Sequence, residues 1–321
     1  MRIDMQAAAA LLQRADRILI LCHDHPDGDT LGSATALAGA LQAMGKTVAV
    51  RCGDPIPQQY GFLFDGLAQP EFSPETVVAV DVADPKLLGK AFNAAYGARV
   101  DLCIDHHASN TLFAKETWIE SDSASAAEMI YLLLQGMGQT ITPQQASRLF
   151  VGVTTDTGCL RFSNTTVRTF RIAAELAAAG ADTYHIIQTF FETKTKTFAA
   201  LERLALDGMR LYFHDRCALM CITQEMYRLS GSDESETDRL TNLPRQIEGV
   251  RVGLTMRELP NGDFKASVRT HGDINASAIC KRLGGGGHAG AAGCTLHGTK
   301  QQAINALLKE VQAELDTDTI D

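Results

Sequence analysis

The sequence lacks several features that would each indicate a particular class of protein. Its apolar runs, such as Ile18–Cys22, are strand-length and fall far short of the ~20 residues that a membrane span needs. Residues 1–10 carry one arginine, the acidic Asp4 and a brief alanine run, which is not the layout of a secretory signal. The eight cysteines include no CxxC pair and no dense cluster. We therefore expect a cytoplasmic protein that has reduced, mostly buried thiols and does not contact a membrane.

The sequence also lacks an excess of positive charge. It has 29 Lys+Arg against 38 Asp+Glu, which gives a formal net charge of −9. Such a chain repels polyanions at long range, so the charge argues against binding to duplex nucleic acid through general electrostatics. Small anionic ligands bound in a local pocket are compatible with it. The length of 321 residues and the hydrophobic fraction of 45% predict two domains, each large enough to bury its own core.

The first half of the chain has the pattern of an α/β domain. Short β-branched runs alternate with alanine- and leucine-rich stretches, which is typical of a mainly parallel sheet flanked by helices. The predicted strands are 17–22, 47–52, 77–81 and 100–104, and the predicted helices are 31–44, 123–134, 143–153 and 167–179. Residues 182–206 have helical composition but weak caps. We therefore predict a first domain over 1–185 and a connector over 186–209.

The second half predicts a smaller α+β lobe over 210–321, across a cleft from the first. Two antiparallel hairpins are indicated, the first formed by 210–213 with 217–222 and the second by 250–258 with 264–270. The polar stretch between the hairpins, 230–238, is predicted to be a solvated loop without a function.

The second hairpin has a predictable register, because alternate residues on a strand face opposite sides. Matching polar to polar places Gly253 opposite Arg269 and Arg257 opposite Lys265. This requires a three-residue loop with Gly262 in a left-handed conformation. One face of the hairpin is then basic. It is either an ordinary solvated surface or a platform for phosphates, and the sequence that follows favours the platform.

Acidic residues and histidines cluster where four apolar segments end. The first strand runs into HDHPDGD at 23–29, the next ends in Asp81, the third ends in DHH at 105–107, and the fourth segment ends in Asp156. A single Asp at such a position is commonly a helix cap or a turn former. Four at corresponding ends, with histidine in two of them, are hard to ascribe to capping. Ligands of open α/β sheets bind at this edge.

So many acids packed together without a cation would raise their pKa values and cost folding energy. A divalent metal removes that cost. Carboxylates with imidazoles suit Mn²⁺, Mg²⁺ or Fe²⁺, and the number of candidate ligands exceeds what one ion needs. We therefore infer two divalent metal ions.

The motifs HDHPDGDTLGS, VAVDVADP, CIDHHASN and TTDTG resemble, in order and type, the four motifs of the DHH phosphoesterases. The glycine-rich run at 284–293 resembles the GGGH motif of the DHH-associated C-terminal domain, so the resemblance covers essentially the whole chain. His23 in the first motif fits the compact nanoRNase and pAp-phosphatase branch. The resemblance implies a homodimer that hydrolyses short oligoribonucleotides, linear dinucleotides or adenosine 3′,5′-bisphosphate (pAp).

The resemblance also implies a role for each matching residue. The implied metal ligands are His23, Asp27 and Asp81 for one ion, and Asp29, Asp81, His106 and Asp156 for the other. Asp81 would bridge the ions, and a hydroxide shared by them would be the nucleophile. Asp105 would orient His106, and His107 would face the scissile phosphate.

The glycine-rich run is the candidate substrate contact in the second lobe. Glycines let backbone N–H groups approach an anion closely, so Gly286 and Gly287 would bind phosphate. Arg269, Lys265 and His288 would complete a clamp on the non-scissile phosphate and the base. Asn275 is either a ligand contact or a helix cap. Arg161 either reaches the phosphate or forms a surface salt bridge.

Two alternative functions share the motifs of the first lobe. An inorganic pyrophosphatase would need a Lys/Arg-rich grip without the GGGH run, so the C-terminal sequence disfavours it. A non-catalytic sensor of nucleotides or cyclic dinucleotides would use the same pocket, but a pure binder has no need of a bridging hydroxide. The sequence therefore favours a Mn²⁺-dependent phosphoesterase.

Overall fold

The computed structural model describes residues 1–317, which form two compact units. The first unit comprises Met1–Thr193, and the second begins at Lys194. Within the described residues, no helix combines the length and the apolar character that crossing a bilayer requires. The predicted boundaries at 185 and 210, and the role of 186–209 as a connector, stay predictions.

The first unit is built on a five-stranded sheet whose neighbouring strands are all parallel. The strands are β1 Ile18–Leu21, β2 Val48–Arg51, β3 Thr76–Val80, β4 Leu102–Asp105 and β5 Glu116–Ile119, in the order β2-β1-β3-β4-β5. The first four confirm the predicted strands with ends shifted by one or two residues. The four residues of β5 are too short for a recognisable alternation, so β5 was missed.

Helices flank this sheet. They are α1 Met5–Arg14, α2 Gly28–Ala43, α3 Gly89–Tyr96, α4 Ala126–Gly136, α5 Pro143–Asp156, α6 Val167–Ala178 and α7 Thr183–Ile187. Four of them confirm the predicted helices. Helices α1 and α3 were not predicted, although Asp4 caps α1 by accepting a hydrogen bond from the backbone of Ala7 at 2.8 Å. A π-helix, Gln188–Glu192, follows α7.

Both faces of the sheet are buried, as expected for parallel strands. Along β1, Ile18 and Ile20 pack into the core that contains the apolar residues of α2, α4 and α5. Leu19 and Leu21 belong to a smaller core on the opposite face, against which Phe92 of α3 packs. The carboxyl ends of the strands therefore open onto one edge, with α2 starting there.

Glycines allow α2 and α5 to approach closely. A Cβ on Gly32 would lie 2.4 Å from the carbonyl oxygen of Arg148, and one on Gly28 would lie 2.4 Å from Oγ1 of Thr155. Neither position tolerates a side chain without movement of the facing helix. This close contact places the start of α2 beside the end of α5.

The second unit contains a six-stranded mixed sheet. Its strands are β6 Arg210–Tyr212, β7 Cys217–Ile222, β8 Val252–Glu258, β9 Phe264–Thr270, β10 Gly286–Gly287 and β11 Ala291–Leu296, in the order β10-β11-β9-β8-β7-β6. Only β7 and β8 pair in parallel among the described strands of this sheet. Its helices are α8 Lys196–Asp207, α9 Gln224–Ser230, α10 Ala276–Arg282 and α11 Lys300–Thr317. The predicted α/β and α+β classes are confirmed.

The register of the β8–β9 hairpin is the predicted one. Gly253 pairs with Arg269, Arg257 pairs with Lys265, and Gly262 has φ +85° in the loop. The alternate residues of β8 are buried with residues of α10 and α11. The opposite face is therefore free to carry polar and basic side chains.

The prediction of a solvated loop at 230–238 is partly wrong, because exposed residues such as Asp233 and Ser235 lie beside helical and buried ones. The segment contains the end of α9 and most of a 3-10 helix, Glu234–Leu240. Thr237 is 3% exposed, and its hydroxyl lies 2.5 Å from that of Tyr227. The apolar anchor of the 3-10 helix is Leu240, which lies beyond the polar stretch, so the composition of the stretch alone could not reveal its burial.

We expect Gly32→Ala to destabilise the first unit by about 1–3 kcal/mol, because the added methyl overlaps the Arg148 carbonyl and forces α2 and α5 apart. Urea denaturation would measure the loss. Gly61→Ala is the matched control, since a Cβ there meets no atom within 4 Å. Equal stability of the two variants would contradict the close packing of α2 on α5.

Candidate functional site

The structure brings the six residues predicted as metal ligands to the carboxyl edge of the parallel sheet. They form two groups in which the potential ligand atoms all lie within 4.8 Å of one another. The first group is His23, Asp27 and Asp81, and the second group is Asp29, His106 and Asp156. These residues follow β1, begin α2, follow β3 and β4, and end α5.

The first group is held by local backbone contacts. Nδ1 of His23 donates to the carbonyl oxygen of Asp24 at 2.7 Å, which turns Nε2 towards the carboxylates. This Nε2 lies 3.6 Å from Oδ1 of Asp27 and 3.6 Å from Oδ2 of Asp81. Asp27 is also the N-cap of α2 and accepts hydrogen bonds from the backbone of Asp29 and Thr30. The arrangement presents one imidazole and two carboxylates to a common point.

The second group lies on the other side of Asp81. Nε2 of His106 is 3.8 Å from Oδ2 of Asp29 and 3.5 Å from Oδ2 of Asp156. Nδ1 of His106 lies 3.2 Å from the carbonyl oxygen of Ser123, which orients the ring. Asp29 is 1% exposed, so this group is the more buried of the two.

Asp81 lies between the groups and faces one with each oxygen. Oδ2 is 3.6 Å from Nε2 of His23, and Oδ1 is 3.5 Å from Nε2 of His106. The residue is 4% exposed and has φ +62°, a conformation that is uncommon for a non-glycine residue. Its Oδ1 is buried and has no hydrogen-bond partner among the described residues. Burying such an atom without a partner is costly.

These features fit a pair of divalent ions. Ligand atoms about 2.0–2.2 Å from a shared ion lie roughly 3–3.6 Å apart, close to the spacings within both groups. The donor set of carboxylates and imidazoles suits a hard or borderline cation. An ion in contact with Oδ1 of Asp81 would supply the partner that this buried atom lacks.

The pKa values express the same crowding. Burial, and next the charges of Asp81, Asp156 and Asp27, raise the pKa of Asp29 well above its ordinary value. Burial also raises the pKa of Asp156 to about 7, with a further contribution from Asp81 and an opposing one from His106. Burial acts to lower the pKa of His23, but its contacts with Asp27 and Asp81 outweigh burial and raise this pKa to about 11. Without a cation, the site therefore retains protons.

The prediction that Asp105 orients His106 is wrong. Oδ1 of Asp105 lies 2.8 Å from Nδ1 of His107, and its Oδ2 accepts from Nδ2 of Asn110 at 2.6 Å. Burial acts to raise the pKa of Asp105, but these two hydrogen bonds outweigh it and lower that pKa. The bond to Asp105 in turn raises the pKa of His107 to about 9. Asp105 therefore orients the second histidine of the motif, while a backbone carbonyl orients the first.

His107 is more open than the two groups. Its side chain is 46% exposed, and its Nδ1 lies 3.5 Å from Oδ1 of Asp81. With Nδ1 bonded to Asp105, a protonated ring still has the Nε2–H to donate. The imidazole thus stands beside Asp81 as a cationic group that solvent reaches.

Thiols and hydroxyls near the site have structural partners. Burial raises the pKa of Cys22 and Cys103, which pack in the two cores, so neither thiol is activated. Ser33 donates to Oδ1 of Asp29 at 3.2 Å, as a partner of a predicted ligand would. Thr155 and Thr157 instead donate to carbonyl oxygens within their own helix.

The second unit has a pocket on the polar face of β8 and β9. Its volume is about 350 Å³, and the glycine-rich β10 and β11 form another wall. Three basic side chains line it, namely Arg257, Lys265 and Arg269. Strand alternation correctly predicted that all three lie on one face of the hairpin.

The pocket contains some predicted substrate contacts and not others. Gly286 and Gly287 line it as part of β10, whereas His288 is exposed at the turn between β10 and β11. Asn275 caps α10 by accepting from the backbone of Ala278 at 3.1 Å, so the helix-cap alternative is the observed one. Arg161, in the first unit, donates to the carbonyl oxygen of Gly158 at 2.6 Å, and no carboxylate among residues 1–317 pairs with it.

Four hydroxyl-bearing residues that line the pocket were missed. They are Thr237, Thr241, Thr255 and Ser267. Strand alternation could have found Thr255 and Ser267, which share the basic face. The other two come from the segment around the 3-10 helix, for which the sequence offers no such pattern.

The pKa of Asp156 predicts a pH-dependent stability of the metal-free chain. Its folded pKa of about 7 exceeds the unfolded value of about 3.9, so its contribution to stability is lost as pH rises through that window. Asn mimics the protonated acid, so in EDTA we expect Asp156→Asn to melt increasingly above wild type as pH rises from 5 to about 8. Thermal unfolding by circular dichroism would measure this gap. A gap that does not change with pH would contradict the assigned pKa of Asp156.

Both units match known protein families. The model of the DHH family, N-terminal domain, matches residues 17–153, and the model of the DHHA1 domain matches residues 224–317. The chain is 31% identical to the bifunctional oligoribonuclease and PAP phosphatase NrnA of Thermus thermophilus, over 97% of this chain and 94% of that protein. It is 28% identical to the protein of the same name in Mycoplasma genitalium, over 90% of this chain and 92% of that one.

A solved structure has the same fold. The exopolyphosphatase-related protein of Bacteroides fragilis superposes with a TM-score of 0.88 at 22% identity, covering 96% of this chain and 95% of that one. The matched residues include the sheet edge where both groups of candidate ligands lie, apart from Asp156. With two domain models matching and a relative above 30% identity over nearly its full length, this chain belongs to the DHH family of phosphoesterases and carries a DHHA1 domain.

Proposed function

We propose that this chain is a dimetal phosphoesterase that hydrolyses short oligoribonucleotides, including linear dinucleotides, to mononucleotides, and pAp to AMP. The observation that carries the proposal is the position of Asp81, which faces one group of candidate ligands with each of its two carboxylate oxygens. The relatives named oligoribonuclease and PAP phosphatase support the choice of substrates, because each covers at least nine-tenths of this chain.

The two groups would hold one ion each, with Asp81 shared between them. When bound, the ions would stabilise charge on the phosphoryl oxygens and activate water near neutral pH. Asp105 keeps His107 in one orientation at 2.8 Å, and a pKa of about 9 keeps that ring protonated at neutral pH. His107 would therefore donate a hydrogen bond from Nε2 to an oxygen of the scissile phosphate. No side-chain nucleophile is required.

The pocket of the second unit would bind the part of the substrate that is not cleaved. Arg257, Lys265 and Arg269 would pair with a phosphate, and the N–H groups of Gly286 and Gly287 would approach it closely. At about 350 Å³ the pocket is at the low end of the range for small-molecule sites, about 300–1,000 Å³. This size favours a small nucleotide over a long strand or a duplex.

Several further properties belong to this proposal. Mn²⁺ is the proposed metal, because both groups offer carboxylates and imidazoles and no thiolate. A cytoplasmic location is supported by the eight cysteines, all of which are free. The homodimer rests on the family resemblance. His288 and Arg161 are not among the residues that line the pocket. Their proposed contacts with substrate would therefore be made outside it.

The proposal is tested by offering the Mn²⁺-loaded protein pAp, pApA, a five-nucleotide RNA, a long single strand and pyrophosphate. We expect the first three to be hydrolysed faster than the others. Mutating a residue that only supports a metal ligand typically lowers activity about 10–100-fold. Asp81 is the ligand proposed to be shared by both ions, so we expect Asp81→Ala to lower kcat/KM by more than about 100-fold. Asp215→Asn, at an exposed acid in the turn between β6 and β7, is the control.

Other outcomes of this experiment would contradict the proposal. Faster turnover of pyrophosphate than of every nucleotide would identify a pyrophosphatase. Nucleotides that bind with Mn²⁺ and are recovered uncleaved would indicate a sensor. Near-wild-type hydrolysis by Asp81→Ala would show that the reaction does not need Asp81 as a ligand shared by two ions.

We expect Arg269→Gln mainly to raise KM, by about 10–100-fold, because a hydrogen bond to a charged group contributes about 1.5–3 kcal/mol. Steady-state kinetics with pAp would measure it, with Lys281→Gln as the control on the exposed surface of the same unit. A loss confined to kcat would instead place Arg269 on the phosphate that reacts.

A further inference from the structure

The segment 120–128, which leads into α4, positions two residues of the second group through its backbone. The carbonyl oxygen of Ser123 lies 3.2 Å from Nδ1 of His106. The N–H groups of Ala126 and Ala127 donate to the two oxygens of Asp29 at 2.6 and 2.9 Å. This segment therefore helps to orient the ring of His106 and the carboxylate of Asp29, to which Ser33 also donates.

One arginine side chain from α6 holds the segment. Arg168 donates from Nη2 to Oγ of Ser123 at 2.8 Å and from Nε to Oε2 of Glu128 at 3.2 Å. Its Nη1 lies 3.5 Å from Oε2 of Glu120. The guanidinium thus joins three residues of the segment at once through its planar fork of donors.

The partners of Arg168 give these contacts weight. Glu128 is fully buried, and its Oε2 also accepts from the backbone of Ala124 at 3.2 Å. A buried carboxylate that loses its cation pays a desolvation cost, so the segment would rearrange if Arg168 were removed. The same segment is tied to the third residue of the group, because Nδ2 of Asn164 donates to the carbonyl oxygens of both Ala124 and Asp156.

The first group is positioned by other parts of the chain. His23 is oriented by the carbonyl of its neighbour Asp24, and Asp27 by the N–H groups at the start of α2. Loosening segment 120–128 should therefore affect one group and leave the other as it is. This asymmetry separates a positioning role from a general structural one.

We propose that Arg168 is a positioning residue for the second group, acting through Ser123 and Glu128 to fix His106 and Asp29 for binding a divalent ion. This inference rests on the proposed function, since it concerns one of the two proposed metal sites. It predicts that Arg168 sets the affinity of the second group for metal and has no effect on that of the first.

The test measures Mn²⁺ affinity in single-site variants by titration, with free Mn²⁺ detected by electron paramagnetic resonance. Asp27→Asn disables the first group and leaves the second to be measured, and Asp156→Asn does the converse. Adding Arg168→Gln should weaken Mn²⁺ binding about 10–100-fold in the Asp27→Asn background. It should leave binding unchanged in the Asp156→Asn background. Arg168→Lys keeps the charge beside Glu128 and should recover part of the loss.

Arg171→Gln, an exposed arginine on the same helix, is the matched control and should change neither affinity. Ser123→Ala keeps the backbone carbonyl but loses one contact to Arg168, so a smaller selective loss is expected even if Arg168→Gln folds poorly. An equal loss of Mn²⁺ affinity at both groups, or no loss at either group, overturns the inference while the proposed function stands. A wild-type chain that binds no Mn²⁺ overturns both.

Discussion

Four carboxylates meet at one edge of a buried parallel sheet, and their mutual repulsion is the constraint on which the rest of the structure depends. Asp27, Asp29, Asp81 and Asp156 lie in two adjoining groups with two histidines. Burial and neighbouring charge raise the pKa of Asp29 and Asp156, so the fold alone does not make this arrangement favourable. A cation in each group would reverse the balance, and it would give a partner to Oδ1 of Asp81, which has none among the described residues.

The fold supplies this edge at a local cost. Asp81 is held in a left-handed conformation directly after β3, where its backbone N–H donates to Ile104 of the neighbouring strand. Strain of this kind persists only where the surroundings impose it, and it often occurs at functional sites. Gly28 and Gly32 let α2 lie against α5, which brings Asp29 beside Asp156. Packing, strain and charge thus serve the same few side chains.

The two units carry candidate sites of opposite charge. The first concentrates negative charge where cations would bind, and the second concentrates Arg257, Lys265 and Arg269 where an anion would bind. The net charge of −9 is summed over the whole chain, so it does not reveal this local basic face. The face arises because basic residues alternate along the strands with buried apolar ones. Overall charge therefore argued against a general affinity for duplexes and was compatible with a small phosphate ligand.

The sequence predicted features that follow from periodicity or from clustering at strand ends. It predicted the β8–β9 register and the residues that gather around Asp81. It could not predict which histidine Asp105 contacts, because side-chain rotation decides between two adjacent rings. The burial of Thr237 depends on Leu240 and Tyr227 outside its polar stretch, and the link from Arg168 to His106 passes through a backbone carbonyl that no residue type signals.

A crystal structure of the Mn²⁺-loaded chain, with the ions located by anomalous scattering, tests the central claim most directly. The account predicts two peaks about 3.5–4 Å apart, the separation usual for paired catalytic metals, with Asp81 in contact with both. A single ion, or two ions with Asp81 bound to neither, would contradict it.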